Sequence, residues 1–200
     1  MSQDQKKDAI IEAALKRFAH FGVAKTTMNE IAHDLAISKA SLYYYFPDKI
    51  SLYAEVLKSI IEREKERDSK DLQNENDPIK TVLHFLEKRT EFIIKYYNIL
   101  EFLKNSAPGL PVELQPLFSH IREQEIKRIA GIIDNGKINN IFNVKNSKSI
   151  AELYYDCLEG YRYTILARHT QFFPDKQQFQ DILKKEKEFS VIFFNGLTHK

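Results

Sequence analysis

The stretch TMNEIAHDLAISKASLYYYF, residues 27–46, decides the fold. Thr27 and Glu30 form a capping-box pattern, in which a hydroxyl and a carboxylate cover the free backbone donors of a helix start. Ser38 is a typical N-cap residue and predicts a second short helix after a tight turn at residues 36–37. Two helices of about eight residues joined in this way have the spacing of a helix-turn-helix. The residues expected to face its core are Ile31, Ala32, Leu35, Leu42 and Phe46.

In such a motif the first helix braces the second, whose N-terminal residues face base edges in the major groove of DNA. Lys39 can reach a guanine or a phosphate, small Ala40 allows close approach, and Ser41 can donate or accept a hydrogen bond. Three tyrosines follow at residues 43–45. Because successive helix residues point about 100° apart, the three cannot all be buried. An exposed tyrosine hydroxyl suits contact with a phosphate.

The rest of the chain has nearly continuous helical periodicity and almost no strand alternation. This pattern predicts an all-α fold of about nine helices, in which a three-helix N-terminal unit precedes a longer helical domain. Capping and breaking residues mark the helix boundaries. These signals are Gly22 as a helix end, residues 71–77 as a linker, Asp77-Pro78 as a start, Asn135-Gly136 as a stop, Ser149-x-x-Glu152 as a capping box and Asp175 as the last start.

The composition of the chain is that of a folded protein that does not span a membrane. The chain has 200 residues, of which 43% are hydrophobic and 29% charged, so it can form a packed core. A net charge of +2 means that any DNA-binding surface must be local. No apolar run approaches the roughly 18 residues of a membrane span, and the first residues lack the apolar core of a signal peptide. We therefore expect a cytoplasmic protein that does not interact with a membrane.

The single cysteine, Cys157, excludes a disulfide framework and a cysteine-built zinc site. Its position on an apolar stripe predicts a buried, inert thiol. Enzyme motifs are missing as well, since there is no HExxH, no glycine-rich phosphate loop and no GxSxG. The pair Glu30 and His33 has the Glu-x-x-His spacing of a di-iron site, but that site needs the motif twice. We expect no catalytic residues, no metal and no cofactor.

The sequence around the helix-turn-helix resembles the DNA-binding signature of the TetR family of bacterial transcriptional regulators. The resemblance covers about residues 8–57. One departure is Ala36, where glycine is common in the family, so the turn is expected to be slightly altered because alanine disfavours positive φ. The matching elements are Gly22, the Thr26-Thr27 pair, Ile31-Ala32, Ser38, Leu42-Tyr43, Tyr45-Phe46 and Lys49.

The resemblance implies a helix-turn-helix DNA-binding domain at residues 1–48. It also implies a helical ligand-binding and dimerisation domain at residues 49–200, joined through the helix that begins near residue 49. The implied DNA contacts are Thr27, Met28, Lys39, Ala40, Ser41, Tyr43, Tyr44, Tyr45 and Lys49. Lys39, Ala40, Ser41 and Tyr44 would face bases, whereas Tyr43, Tyr45 and Lys49 would hold phosphates. Thr27 would cap the first helix and touch phosphate.

The resemblance further implies a homodimer and a small, mostly apolar effector. The candidate pocket residues are Phe92, Tyr96, Phe102, Phe118 and Tyr155, and the candidate dimer residues are Leu158, Arg162, Leu166, Phe189, Phe193 and Phe194. Together these features predict a ligand-responsive repressor that binds a palindromic double-stranded operator. Two alternatives stay open at this point. One is a DNA-bound structural or partner-binding protein without a small ligand, and the other is a helical ligand-binding protein or enzyme without DNA binding.

Overall fold

The computed structural model describes residues 3–71, 77–104, 110–168 and 176–198, without the side chains of residues 66–71, 104, 166–168 and 176. Within these ranges the chain forms nine α-helices, one 3-10 turn and no β-strand, which confirms the predicted all-α class. The helices are α1 (Gln3–Phe21), α2 (Met28–Asp34), α3 (Lys39–Tyr45), α4 (Lys49–Asp71), α5 (Pro78–Lys95), α6 (Tyr97–Lys104), α7 (Gln115–Ile138), α8 (Ser147–Arg168) and α9 (Lys176–Asn195). The 3-10 turn, Val112–Leu114, leads directly into α7. In the described part of the chain, no helix is long and apolar enough to cross a membrane.

The chain divides into two compact units. The N-terminal unit comprises Met1–Arg67 and Lys95–Phe118, and the C-terminal unit comprises Asp68–Ile94 and Ser119–Lys200. The first unit therefore includes α1 to α3, most of α4, all of α6 and the first residues of α7. The predicted functional boundary at residues 48–49 does not coincide with this division by packing. It stays a prediction about which residues bind DNA.

Apolar side chains from four helices form the core of the N-terminal unit. They include Ile10, Ala14 and Phe18 of α1, Ile31 of α2, Leu42 of α3, and Leu52, Tyr53, Val56, Leu57 and Ile60 of α4. Burying such side chains is the main source of stability for short helices, which are marginal in isolation. The helix-turn-helix is thus held by the first turns of α4 as well as by α1.

Helix α6 is fixed to the same unit by two hydrogen bonds to the backbone. The buried Tyr53 hydroxyl donates to the carbonyl oxygen of Ile99 at 2.8 Å, and the Asn98 side-chain amide donates to the carbonyl oxygen of Ala19 at 2.7 Å. Helix α4 directly follows α3, so it is one element able to carry a signal to the DNA-binding residues. Because α6 packs on α1, it is a second element able to do so.

Two helix boundaries of the C-terminal unit differ from the predicted ones. Helix α7 continues past Gly136 to Ile138, because Gly136 is present for close packing and not as a stop. Helix α8 begins at Ser147, where the Asn146 side chain accepts a hydrogen bond from the Ser149 backbone N–H at 3.1 Å. The predicted capping box at Ser149 was therefore wrong, and the helix starts three residues earlier than it implied. Asp175, the predicted start of the last helix, lies outside the described residues.

Candidate nucleic-acid interface

The capping box that starts α2 is formed as predicted. The Thr27 backbone N–H donates to Glu30 Oε2 at 2.8 Å, and the Glu30 backbone N–H donates to the Thr27 hydroxyl at 3.3 Å. The hydrogen bonds that Thr27 donates to the Glu30 carboxyl, with help from Arg17, hold the pKa of that carboxyl below its usual value, so Glu30 stays ionised. The Thr27 hydroxyl donates its own hydrogen to Glu30 at 2.8 Å. Contact of Thr27 with a phosphate would therefore compete with the cap.

Helix α1 is joined to α2 by a charged contact on the surface. The Arg17 guanidinium forms a two-point ion pair with Asp34 and lies 3.4 Å from Glu30. This contact lowers the pKa of Asp34. A bidentate arginine–carboxylate pair fixes orientation better than a single contact does. Arg17 therefore sets the angle of the bracing helix and is committed to acidic partners within the unit.

The turn between α2 and α3 has an unusual backbone conformation. Ala36 has φ of +51°, which lies in the left-handed region that favours glycine. Alanine thus adopts the conformation that glycine commonly supplies in the family, at a cost in backbone strain. The turn is closed by backbone hydrogen bonds from Ala36 to His33 at 3.0 Å and from Ile37 to Ala32 at 3.1 Å.

Helix α3 is anchored by its buried face and exposes the other. Ser38 caps it, with its hydroxyl accepting from the Ser41 backbone N–H at 3.1 Å, and Leu42 and Phe46 are buried. These are the roles that the sequence predicted for the three residues. The exposed side of α3 carries Lys39, Ala40, Tyr43 and Tyr44, and the half-buried residues are Ser41 and Tyr45.

The three tyrosines of α3 have different environments. Tyr44 is 73% exposed and Tyr43 is 40% exposed. The Tyr44 hydroxyl accepts a hydrogen bond from the side chain of Gln3 at 3.4 Å, and Tyr45 packs edge-on against Tyr44. The Lys39 ammonium lies 5.6 Å from the Tyr43 ring centroid, within cation–π range. The exposed surface of α3 therefore offers one cation and two aromatic hydroxyls. Nothing in the sequence indicated the contact of Gln3 with Tyr44.

Two predicted contacts have little access to solvent. The Met28 side chain is buried at the start of α2, so only its backbone remains to meet DNA. The Lys49 ammonium donates to the carbonyl oxygens of Val23 at 2.9 Å, Ala24 at 3.3 Å and Thr26 at 3.0 Å. Partial burial also lowers its pKa. Lys49 therefore braces the turn between α1 and α2, a role that the sequence alone did not indicate.

Comparison with known proteins agrees with this geometry. Residues 10–56 match the model of the family described as bacterial regulatory proteins, tetR family. A transcriptional regulator of known structure from Cytophaga hutchinsonii is 31% identical, with a TM-score of 0.82 over 97% of this chain and 99% of that one. The chain belongs to the TetR family. Members of this family are DNA-binding transcriptional regulators, which are not enzymes.

Other TetR-family relatives show how far the likeness extends. The regulator RutR of Escherichia coli is 28% identical over 137 residues, which are 66% of this chain and 64% of RutR. The biofilm operon regulator IcaR of Staphylococcus aureus, named a negative transcriptional regulator, is 29% identical over 66% of this chain and 72% of IcaR. A TetR-family structure from Pectobacterium atrosepticum has 17% identity and a TM-score of 0.74, which shows the common fold. The chain thus spans just under two thirds of the length of RutR.

The residues predicted to line a TetR effector pocket fall in different units. Tyr96, Phe102 and Phe118 belong to the N-terminal unit, whereas Phe92 and Tyr155 belong to the C-terminal unit. Tyr96 donates its hydroxyl to Glu64 at 3.0 Å, and Phe102 packs edge-on against Tyr53. Because these contacts are internal to the N-terminal unit, they do not by themselves define a pocket. The pocket assignment stays a prediction.

The predicted dimer residues include members of the protomer's own core. Leu158 and Phe194 are buried within the C-terminal unit, Phe189 and Phe193 are half-buried, and Arg162 is paired with Glu186. The side chain of Leu166 lies outside the described residues. The outward apolar residues of the last two helices are instead Leu153, Tyr163, Val191 and Ile192. Cys157 is exposed, so the prediction of a buried thiol was wrong.

Helix α8 carries a second stripe of uncharged residues on its exposed side. Leu153, Cys157, Gly160 and Thr164 are all exposed and follow one another at intervals of four, three and four residues, which places them on one helix face. The more strongly apolar stripe of α8 is its core face.

Proposed function

We propose that the protein is a homodimeric, ligand-responsive transcriptional repressor that acts in the cytoplasm on a palindromic double-stranded operator. One observation carries the DNA-binding role. Helix α3 is anchored by Leu42 and Phe46 and presents Lys39 and Tyr44 outward, next to the small side chain of Ala40. A short helix held in this way and exposing a cation, hydroxyls and a small residue suits the major groove.

The proposed contact set follows from exposure. Lys39, Ala40, Ser41 and Tyr44 face bases, and Tyr43 and Tyr45 contact phosphates together with the exposed N-cap residue Thr27. Met28 contributes only its backbone N–H. The phosphate contact that the family resemblance implies for Lys49 would require its ammonium to leave three carbonyl oxygens. Repression, as opposed to activation, is supported by the name of the relative IcaR.

Exposed apolar side chains on the last two helices support the homodimer. Leu153 and Ile192 are 53% and 73% exposed, and Val191 is 37% exposed. Burial of such side chains against a second copy would remove apolar surface from water. A two-fold dimer then presents two recognition helices about one helical turn apart, ~34 to 36 Å.

Selection of bound sequences from random DNA tests this function. The wild-type protein should select sites with dyad symmetry and half-sites about one helical turn apart. Substitution of Tyr44 by Phe or Ser41 by Ala should change which bases are preferred, because each removes a hydroxyl assigned to base edges. Selected sites without dyad symmetry, or unchanged preferences in both variants, would contradict the proposal.

A matched pair of variants tests the dimer surface. Ile192→Asp should yield monomers in sedimentation and weaken operator binding strongly, since a single half-site provides few contacts. Ile138→Asp is the control, because Ile138 is 74% exposed on α7 and lies outside the proposed surface. It should leave both the dimer and its operator affinity intact. Dimers of equal stability in the two variants would place the interface elsewhere.

A further inference from the structure

The C-terminal unit contains a cavity that is open to solvent on one side and has a volume of about 580 Å³, which is large enough for a small molecule. Helices α5 and α8 supply its walls. The lining residues are Arg89, Asp156, Glu159, Gly160, Arg162 and Tyr163. Four of the six carry charge, so this cavity differs in chemistry from the aromatic pocket that the sequence suggested.

The acidic side chains of the cavity already have partners. Asp156 accepts a hydrogen bond from the Arg122 guanidinium at 2.7 Å. Glu159 accepts one from the hydroxyl of Tyr155 at 3.2 Å. Both carboxylates thus already accept a hydrogen bond from a donor within the unit. A ligand is therefore more easily bound by the other charged residues of the cavity, which are arginines.

The two arginines keep unused donors. Among the described residues, the one close ionic partner of Arg89 is Glu125 at 3.4 Å, which is longer than a good N–H···O hydrogen bond of about 2.7 to 3.2 Å. The Arg89 side chain is only 22% exposed, so water replaces few of its five N–H bonds. Arg162 donates from Nε to Glu186, and its described contacts leave both terminal nitrogens unused. Two guanidinium groups with spare donors therefore line one cavity.

We propose that this cavity is the effector site and that its effector is a small organic carboxylate held by Arg89 and Arg162. The inference rests on the proposed ligand-responsive function and names the chemistry of that ligand. A guanidinium offers parallel N–H donors that match the two oxygens of a carboxylate. The exposed ring of Tyr163 supplies an apolar surface for the remainder of the ligand.

The surrounding carboxylates offset the positive charge of the two arginines. Glu125, Glu159 and Glu186 all act on Arg89 through their charges. They weaken the overall attraction for an anion, so the parallel N–H donors of the guanidinium groups, and not an excess of positive charge, are what would select a carboxylate.

Acid and amide pairs test the assignment, with benzoate against benzamide and hexanoate against hexanamide as probes. Each acid should bind saturably in calorimetry and shift the Nε–Hε signal of Arg89 in NMR spectra, whereas each amide should bind about tenfold more weakly or not at all. Arg89→Met should remove the preference for acids. Lys148→Met is the control on α8, since Lys148 is 77% exposed and is not among the cavity residues.

A second variant keeps the test decisive if Arg89→Met fails to fold. Glu125→Gln preserves the shape of the side chain and removes the ionic partner of Arg89. It should tighten binding of both acids by about tenfold, because a competing carboxylate is lost and the guanidinium is fully available. Unchanged or weaker acid binding in this variant, or amides that bind as well as acids, would overturn the assignment.

Operator binding by the same proteins separates this inference from the proposed function. If the acids bind at Arg89 but leave operator affinity unchanged, the site is correct and the ligand response fails. If neutral compounds release the operator equally from wild type and Arg89→Met, the ligand response is correct and the carboxylate assignment fails. Reciprocal weakening of acid and operator binding by one common factor supports both.

Discussion

The aromatic ring of Phe142 lies directly against the α-carbon of Gly136. A methyl group at Gly136 would come within 3.1 Å of Phe142 Cγ and closer still to two other ring carbons. Phe142 is buried and packs against Phe194 with ring centroids 5.7 Å apart. The missing side chain at residue 136 thus allows the segment after α7 to cover the core of the C-terminal unit.

Replacing Gly136 with Ala should destabilise the protein. The added methyl group overlaps a buried ring that has little room to move, and overpacking of this kind costs about 1 to 3 kcal/mol. Gly131→Ala is the matched control on the same helix, since a Cβ there meets nothing within 4 Å. It should stabilise by roughly 0.5 to 1 kcal/mol, as expected for glycine in a helix interior. Urea denaturation of both variants measures the two effects, and equal shifts would refute the packing argument.

The turn of the helix-turn-helix offers a stabilising substitution. Ala36 has φ of +51°, a conformation that costs a residue with a Cβ about 1 to 2 kcal/mol. Ala36→Gly removes that strain but gives the unfolded chain more freedom, so the net gain should be about 0.5 to 1 kcal/mol. Ala13→Gly, in the middle of α1, should instead destabilise by about 1 kcal/mol. A lower melting temperature for Ala36→Gly than for the wild-type protein would contradict this expectation.

Much of the fold follows from local sequence signals. The caps of Thr27, Ser38 and Asp77 each form the side-chain hydrogen bonds that their positions predicted, because capping depends on residues within one helical turn. The failures at Gly136 and Ser149 have a different origin. At Gly136 the deciding contact is with a residue after the helix, and at Ser149 the nearby Asn146 provides the cap.

The candidate sites were harder to predict from the sequence than the helix boundaries were. The exposed surface of α3 could be predicted, because Leu42 and Phe46 fix which side of the helix is buried. The role of Lys49 could not, since its hydrogen-bond acceptors are backbone carbonyl oxygens that carry no residue-specific signal. The role of Arg89 could not be predicted either, because the other residues that line its cavity lie some 70 residues later in the chain.

Lys49 and Lys39 should differ in their effects on DNA binding. Lys49→Met removes a donor to three carbonyl oxygens, so it should destabilise the protein by about 1 to 3 kcal/mol. In the fully folded variant, the salt dependence of operator binding should stay unchanged. Lys39→Met should leave stability nearly unaltered, because Lys39 is exposed, and should reduce the slope of log K against log salt by about one. A flatter slope for Lys49→Met would instead establish the phosphate contact implied by the family resemblance.

The last prediction concerns Glu186, which lies in the core of the C-terminal unit with only 3% of its surface exposed. Burial raises the pKa of its carboxyl from 4.5 to about 7, against the opposing effect of Arg89. Between these two values the folded protein keeps a proton that the unfolded chain has lost. Stability contributed by Glu186 is therefore complete below pH 4.5 and decreases as the pH rises to about 7.

The size of this effect can be measured against Glu186→Gln. A shift from 4.5 to about 7 corresponds to about 3 kcal/mol, which the wild-type protein should lose between pH 4.5 and pH 8 and the variant should not. The variant also loses the contact with Arg162, and the pH-dependent part of that contact is already included in the titration of Glu186, so the slopes of the two curves are compared. Glu188→Gln is the control, because Glu188 is exposed on the same helix and its pKa is lowered by Lys185. Parallel stability curves for wild type and Glu186→Gln would show that Glu186 is ionised throughout, with Arg162 and Arg89 compensating its burial.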